Sequence, residues 1–173
     1  SGDYGKKTFQ IRLRKADVRA LRAEDKDNGG LYGNLSVTVK PTTADRVQVI
    51  ADYDSAGELP APGTASGKTG SPRKKTAGSS IPFLVQVTDK YWNLVVSSEA
   101  KVSITDTDDN NYDISKDTDA VFAGSTTISR IFITADPLGF SVSATGQGAY
   151  PNASNPSSKA PVLSQDANRL LLL

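Results

Sequence analysis

Asp106, Asp108, Asp109, Asn110, Asn111 and Asp113, with Asp117 and Asp119 close behind, form the densest group of oxygen-bearing side chains in the sequence. Calcium takes about six to eight oxygen ligands, and carboxylates with amide carbonyls supply them. Asp106, Asp108, Asp109, Asn111 and Asp113 are therefore a candidate calcium site. The run lacks the turn glycine and the distal glutamate of an EF-hand loop. A solvated hairpin turn accounts for the same residues, so two readings stand. No other cofactor is expected.

Other chemistry finds less support. The chain has no Cys and no His. Disulfide frameworks, thiolate metal sites and cysteine nucleophiles are thereby excluded, and the commonest general base is missing. Gly63-Thr64-Ala65-Ser66-Gly67-Lys68-Thr69 imitates a phosphate loop but has one residue too few between its glycines, and no helical pattern follows. Asp108 and Asp113 could pair as the carboxylates of a glycoside hydrolase, but nothing in the sequence sets them across a cleft. No G-x-S-x-G nucleophile motif occurs. A Lys–Asn isopeptide bond would suit a cysteine-free chain, but the sequence names no pair. Lys68, Arg73, Lys74 and Lys75 form one basic group, and Arg12, Arg14, Arg19 and Arg22 another. Neither interleaves the aromatics of a nucleic-acid platform, and the net charge is only +1. These absences lead to the expectation that the chain is not an enzyme and binds no nucleic acid.

The elements that would carry such residues read as strands. Alternating apolar positions run through Phe9, Ile11 and Leu13; Val18 to Ala23; Leu35, Val37 and Val39; and Val47, Val49 and Ala51. They continue at Phe83, Val85 and Val87, at Val102 and Ile104, at Ile131 and Ile133, and at Phe140, Val142 and Ala144. Asn28-Gly29-Gly30, Asp54 to Gly57, Asp108 to Asn111 and Asp136-Pro137 supply turns. Lys15 to Lys26 also suits a helix, but the repeat described next favours strand. Short strands so spaced predict an all-β sandwich or barrel. With 173 residues and 37% hydrophobic residues, the chain can bury a core without staples. Its mean hydropathy is −0.36, and no apolar run suggests insertion in a membrane.

A repeat organises these strands. Ala44-Asp45-Arg46-Val47-Gln48-Val49-Ile50 matches Ala167-Asn168-Arg169-Leu170-Leu171-Leu172-Leu173, an offset of 123 residues. Phe9 to Ala23 resembles Ile128 to Ala144 at nearly the same offset, with Ile11 and Leu13 over Ile131 and Ile133. The expected organisation follows. Residues 1–40 are the terminal strand pair of a preceding repeat plus a linker strand. Residues 41–148 are a complete unit. Residues 149–173 are a Pro/Ser/Asn linker and the first strand of a following repeat. With no Met in the sequence, the chain is expected to be a processed or excised fragment.

The segment from Thr76 through Ile81-Pro82-Phe83-Leu84-Val85-Gln86-Val87-Thr88-Asp89-Lys90-Tyr91-Trp92-Asn93-Leu94-Val95 resembles the second-strand signature of bacterial immunoglobulin-like, invasin-like repeats of large surface proteins. A small-residue entry leads to an alternating strand, then Asp, a short gap, Asn and an apolar pair. Gly57-Glu58-Leu59-Pro60-Ala61-Pro62-Gly63-Thr64 is similar to a loop of long tandem arrays. The resemblance covers residues 41–148 well and the flanks in part. It implies an Ig-like antiparallel β-sandwich with flanking partial repeat strands, secreted to the extracellular space or cell surface. Asp89 and Asn93 bracket a tight loop whose backbone N–H groups their side chains can cap.

The leading functional expectation is a structural or adhesive repeat in a stalk or filament, whose partner is another copy of itself. Strand addition at an exposed edge would join units. Leu35, Val37 and Val39 are the candidate donor strand, with an ordinary linker as the equal alternative. Leu170 and Leu172 are the matching residues at the other end. The alternatives are a module that binds a glycan or another surface protein through Tyr91, Trp92 and the Glu58–Gly70 loop, and an accessory domain of an exported enzyme.

Overall fold

The computed structural model describes residues 7–96, 99–106, 118–146 and 153–165. Every regular element among them is a strand. In chain order these are β1 (Asp17–Glu24), β2 (Tyr32–Val39), β3 (Arg46–Ala51), β4 (Leu59–Pro60), β5 (Lys68–Thr69), β6 (Lys75–Thr76) and β7 (Ser80–Thr88). Then follow β8 (Glu99–Asp106), β9 (Thr118–Ala123), β10 (Ser125–Ile131), β11 (Asp136–Phe140), β12 (Val142–Gly146), β13 (Ala153–Asn155) and β14 (Ala160–Leu163).

They form small sheets in the orders β10-β7-β3-β13, β11-β14-β6, β12-β8-β9, β4-β5 and β1-β2. Pairing is antiparallel except where β13 runs parallel to β3 and β14 parallel to β6. Only Ser141 separates β11 from β12, so one stretch of backbone serves two sheets.

Alternation on β3 and β7 builds the core. The register sets Val47, Val49 and Ala51 opposite Val87, Val85 and Phe83 on one face. These residues share a buried cluster with Ile81, Phe132, Phe140, Val142, Ala144, Ala160 and Val162. Phe132 stacks on Phe140 at 4.6 Å and meets Phe83 edge-on at 6.3 Å. Each such side chain contributes about 1.5–3 kcal/mol by leaving water.

The other face of β3 and β7 is buried as well. It carries Gln48, Ile50, Leu84 and Gln86. Gln86 Nε2 donates to Gln48 Oε1 at 2.7 Å, and Gln48 Nε2 donates to the Gly67 carbonyl at 3.1 Å. The loop around β4 and β5 thus covers a face that a half-exposed strand would leave wet.

One expectation about the elements changes. Phe9, Ile11 and Leu13 alternate but form no strand; Phe9 and Ile11 are exposed, and none of the described strands pairs with them. Leu35 to Val39 lies in β2, which pairs along its whole length with β1. Within residues 149–173 the described part forms β13 and β14, with Ala160 and Val162 in the core.

Candidate docking site at the Asp89–Asn93 loop

The loop after β7 gathers the densest described set of side-chain to backbone bonds. Asp89 and Asn93 are both buried. Asp89 Oδ1 accepts from the N–H groups of Tyr91 (2.8 Å) and Asn93 (3.0 Å), which closes the turn. Trp92 takes the strained backbone position, with φ of 68°. Asp89 Oδ2 accepts from the Thr42 backbone N–H at 2.9 Å and its hydroxyl at 3.3 Å. Asn93 Nδ2 donates to both Asp89 oxygens and to the Arg14 carbonyl at 2.8 Å; Asn93 Oδ1 accepts from the Ala16 N–H at 2.7 Å.

The placement of those partners matters. Ala16 immediately precedes β1, and Thr42 lies shortly after β2. The pair Asp17↔Val39 closes the open end of that hairpin. One loop therefore clips both chain ends of the β1–β2 hairpin. Gly63 N–H donates to the Tyr91 carbonyl at 2.7 Å, and its absent side chain leaves room for Lys15. Burial works against ionisation of Asp89, but the bonds from Asn93, Thr42 and Tyr91 outweigh it and hold the carboxyl below its ordinary range. With so many donors on its two oxygens, Asp89 has no acceptor capacity left for a substrate.

Three further polar groups fasten the covering loop. Asp52, fully buried at φ 47°, receives a forked pair from Arg73 (Nε 2.7 Å, Nη2 2.9 Å), the Arg73 N–H at 3.0 Å and Lys75 Nζ at 3.0 Å. The Arg73 fork holds the Asp52 carboxyl well below the usual carboxylate range. Glu58, also buried, accepts the Ala51 N–H at 2.7 Å and the Ser158 hydroxyl. Lys68 donates to the Pro156 carbonyl; burial pushes its amine down, against the pull of Glu58. Glu58 and Lys68 tie the loop to the chain between β13 and β14, while Asp52 anchors the Arg73–Lys75 stretch to the end of β3. In the sequence Lys68, Arg73 and Lys75 stand out only as members of a basic group, Glu58 as the start of a candidate binding loop, and Asp52 not at all.

The expected site residues are distributed as follows. Tyr91 and Trp92 lie in the docking loop and are half-buried. Arg46 stacks over the Trp92 ring at 4.5 Å, Trp92 Nε1 donates to the Ala65 carbonyl at 3.3 Å, and Gly67 lies against the indole. Arg14 and Lys90 approach Tyr91 at 6.0 and 5.2 Å. Leu35, Val37 and Val39 share one face of β2. Asp106 ends β8, while Asp108, Asp109, Asn111 and Asp113 lie outside the described residues, as do Leu170 and Leu172. Among the described residues no three acidic side chains gather to hold a metal.

Strands throughout, and buried polar side chains spent on backbone, define an all-β chain whose described polar centre docks one chain segment against another. No family model matches the chain, and no curated protein matches it.

Proposed function

We propose that the strands from β3 to β14 form an Ig-like sandwich, one unit in a tandem array of a secreted bacterial surface protein with a structural or adhesive role. The β10-β7-β3-β13 sheet would face a second layer made of β9, β8, the β12/β11 run, β14 and β6. One buried cluster drawing on both sets of strands supports that closure. The single observation that carries the functional reading is the double clip at Asp89 and Asn93. It spends buried polar groups on fixing how the preceding chain leaves the unit, which an array needs and an isolated globule does not.

In this reading the unit acts by position and stiffness. Its partners are other units like itself, and calcium at the acidic run after β8 would be an added brace. The engagement of Trp92 by Arg46 and the Ala65–Gly67 loop favours packing over ligand stacking at that ring. Negative-stain imaging of the parent polypeptide taken from the surface of its source cells tests the proposal. Rods or beaded filaments with a regular repeat are expected. Globular particles without a repeat, or recovery of the polypeptide only from the cytoplasm, would overturn it.

A further inference from the structure

The β1–β2 hairpin has one face richer in apolar side chains. Its register sets Leu21, Ala23, Leu35, Val37 and Val39 on that side, together with Asp17 and Arg19, which stand opposite Val39 and Val37. Leu35 is 62% exposed, while Leu21, Val37 and Val39 are half-buried. The other side mixes Val18 and Tyr32 with Arg22, Asn34, Ser36 and Thr38. A two-stranded ribbon buries too little to stand alone in water.

A corresponding strand pair, β11 with β14, occurs later in the chain with that face covered, although there β12 and β13 intervene between the two strands. β11 pairs with β14 at Asp136↔Val162, and β1 pairs with β2 at Asp17↔Val39. Ala135-Asp136 repeats Ala16-Asp17. Val162 follows Val39 by the same 123 residues that separate Ala167–Leu173 from Ala44–Ile50. Residues equivalent in sequence thus meet across equivalent pairs of strands. The copies part above that pair, where β11 shifts register before Phe140↔Ala160 while β1 runs regularly to Leu21↔Leu35. In the second copy Phe140, Val142, Ala160 and Val162 are all buried, in one cluster with Val47, Val49, Phe83 and Val85 of β3 and β7. Their counterparts in the first copy are Leu21, Ala23, Val37 and Val39.

We propose that β1–β2 is the closing hairpin of a preceding unit, and that its apolar face receives a β3–β7–β10-type sheet of the same polypeptide. The inference deepens the array reading and rests on it for the source of that sheet. Leu35, Val37 and Val39 are then core residues of an upstream sandwich, and β2 is its last strand.

The test supplies the missing sheet. A copy of residues 41–131 is joined ahead of Leu13 in the full chain, and amide exchange is followed along β1 and β2. Exchange at residues 17–24 and 32–39 should slow by about 100-fold or more relative to the unextended chain. Val37→Lys in the extended chain should abolish that gain. Unchanged hairpin exchange overturns the proposal, and so does an added segment that stays unfolded beside the hairpin, because a closing hairpin must complete it. In the unextended chain, protection of β1–β2 that rises with protein concentration would assign the face to a second copy of the chain and overturn the proposal too. The melting of the β3–β14 unit, read separately, shows whether the sandwich itself has failed.

Discussion

The carboxamide of Asn93 joins its own loop to a stretch nearly eighty residues earlier, and both of its polar atoms are engaged. Asn93→Ala strands the buried Asp89 carboxylate without one partner and leaves the Ala16 N–H and Arg14 carbonyl unpaired. A loss of about 1–3 kcal/mol is expected in urea unfolding, with faster exchange at the Ala16 amide. Acid acts on Asp52 and Asp89 together. Both carboxyls titrate lower in the folded chain than in the unfolded one. Their contribution is therefore present above the ordinary carboxylate value of about 4 and is lost as pH falls below it toward the depressed folded values. Melting temperature followed from pH 7 downward should fall steeply below about 4, and Asp52→Asn should flatten that fall. If the acidic run from Asp106 to Asp113 holds calcium, millimolar calcium raises the melting temperature over EDTA by linkage; identical curves remove that site.

Gly67 shows how one position fixes an element. Its φ is 74°, and a Cβ there would lie 2.4 Å from the Trp92 ring and 2.6 Å from Gln48 Nε2. Gly67→Ala should cost about 1–3 kcal/mol by strain and overpacking. It should also change the emission of Trp92, the sole tryptophan. Sequence made β3 and β7 legible because alternating valines and Phe83 demand a covered face. It hid the second covered face, because Gln48 and Gln86 look like solvent residues until Gly67 approaches. The Asp89–Asn93 turn was legible as a local cap. Its hold on Arg14, Ala16 and Thr42 was not, since nothing local marks a bond across so many residues. Phe9 to Leu13 misled for the converse reason: alternation states a preference, but a strand needs a neighbour. Residues 149–173 read as a Pro/Ser/Asn linker and one strand; their described part carries β13 and β14, which find partners in β3, β11 and β6.

Across the whole chain, pairings distant in sequence dominate, such as β3 with β13 and β6 with β14. Such topologies close long loops before contacts reward them, so refolding should take milliseconds to seconds. Stopped-flow emission of Trp92 after dilution from urea measures it, and a microsecond phase carrying the full amplitude would contradict this topology. The parallel ladder of β3 and β13 has a mechanical meaning. The chain enters β3 at Arg46 and leaves β13 at Asn155, with Ala153 opposite Arg46 and Asn155 opposite Gln48. A pull on those two ends drags the strands lengthwise past each other, so the bonds between them share the load and must rupture together. A hairpin pulled at its open end would unzip one bond at a time. The last strand of the proposed sandwich, β14, also pairs parallel, with β6, so in the proposed array a pull beyond Leu163 would load that ladder lengthwise too.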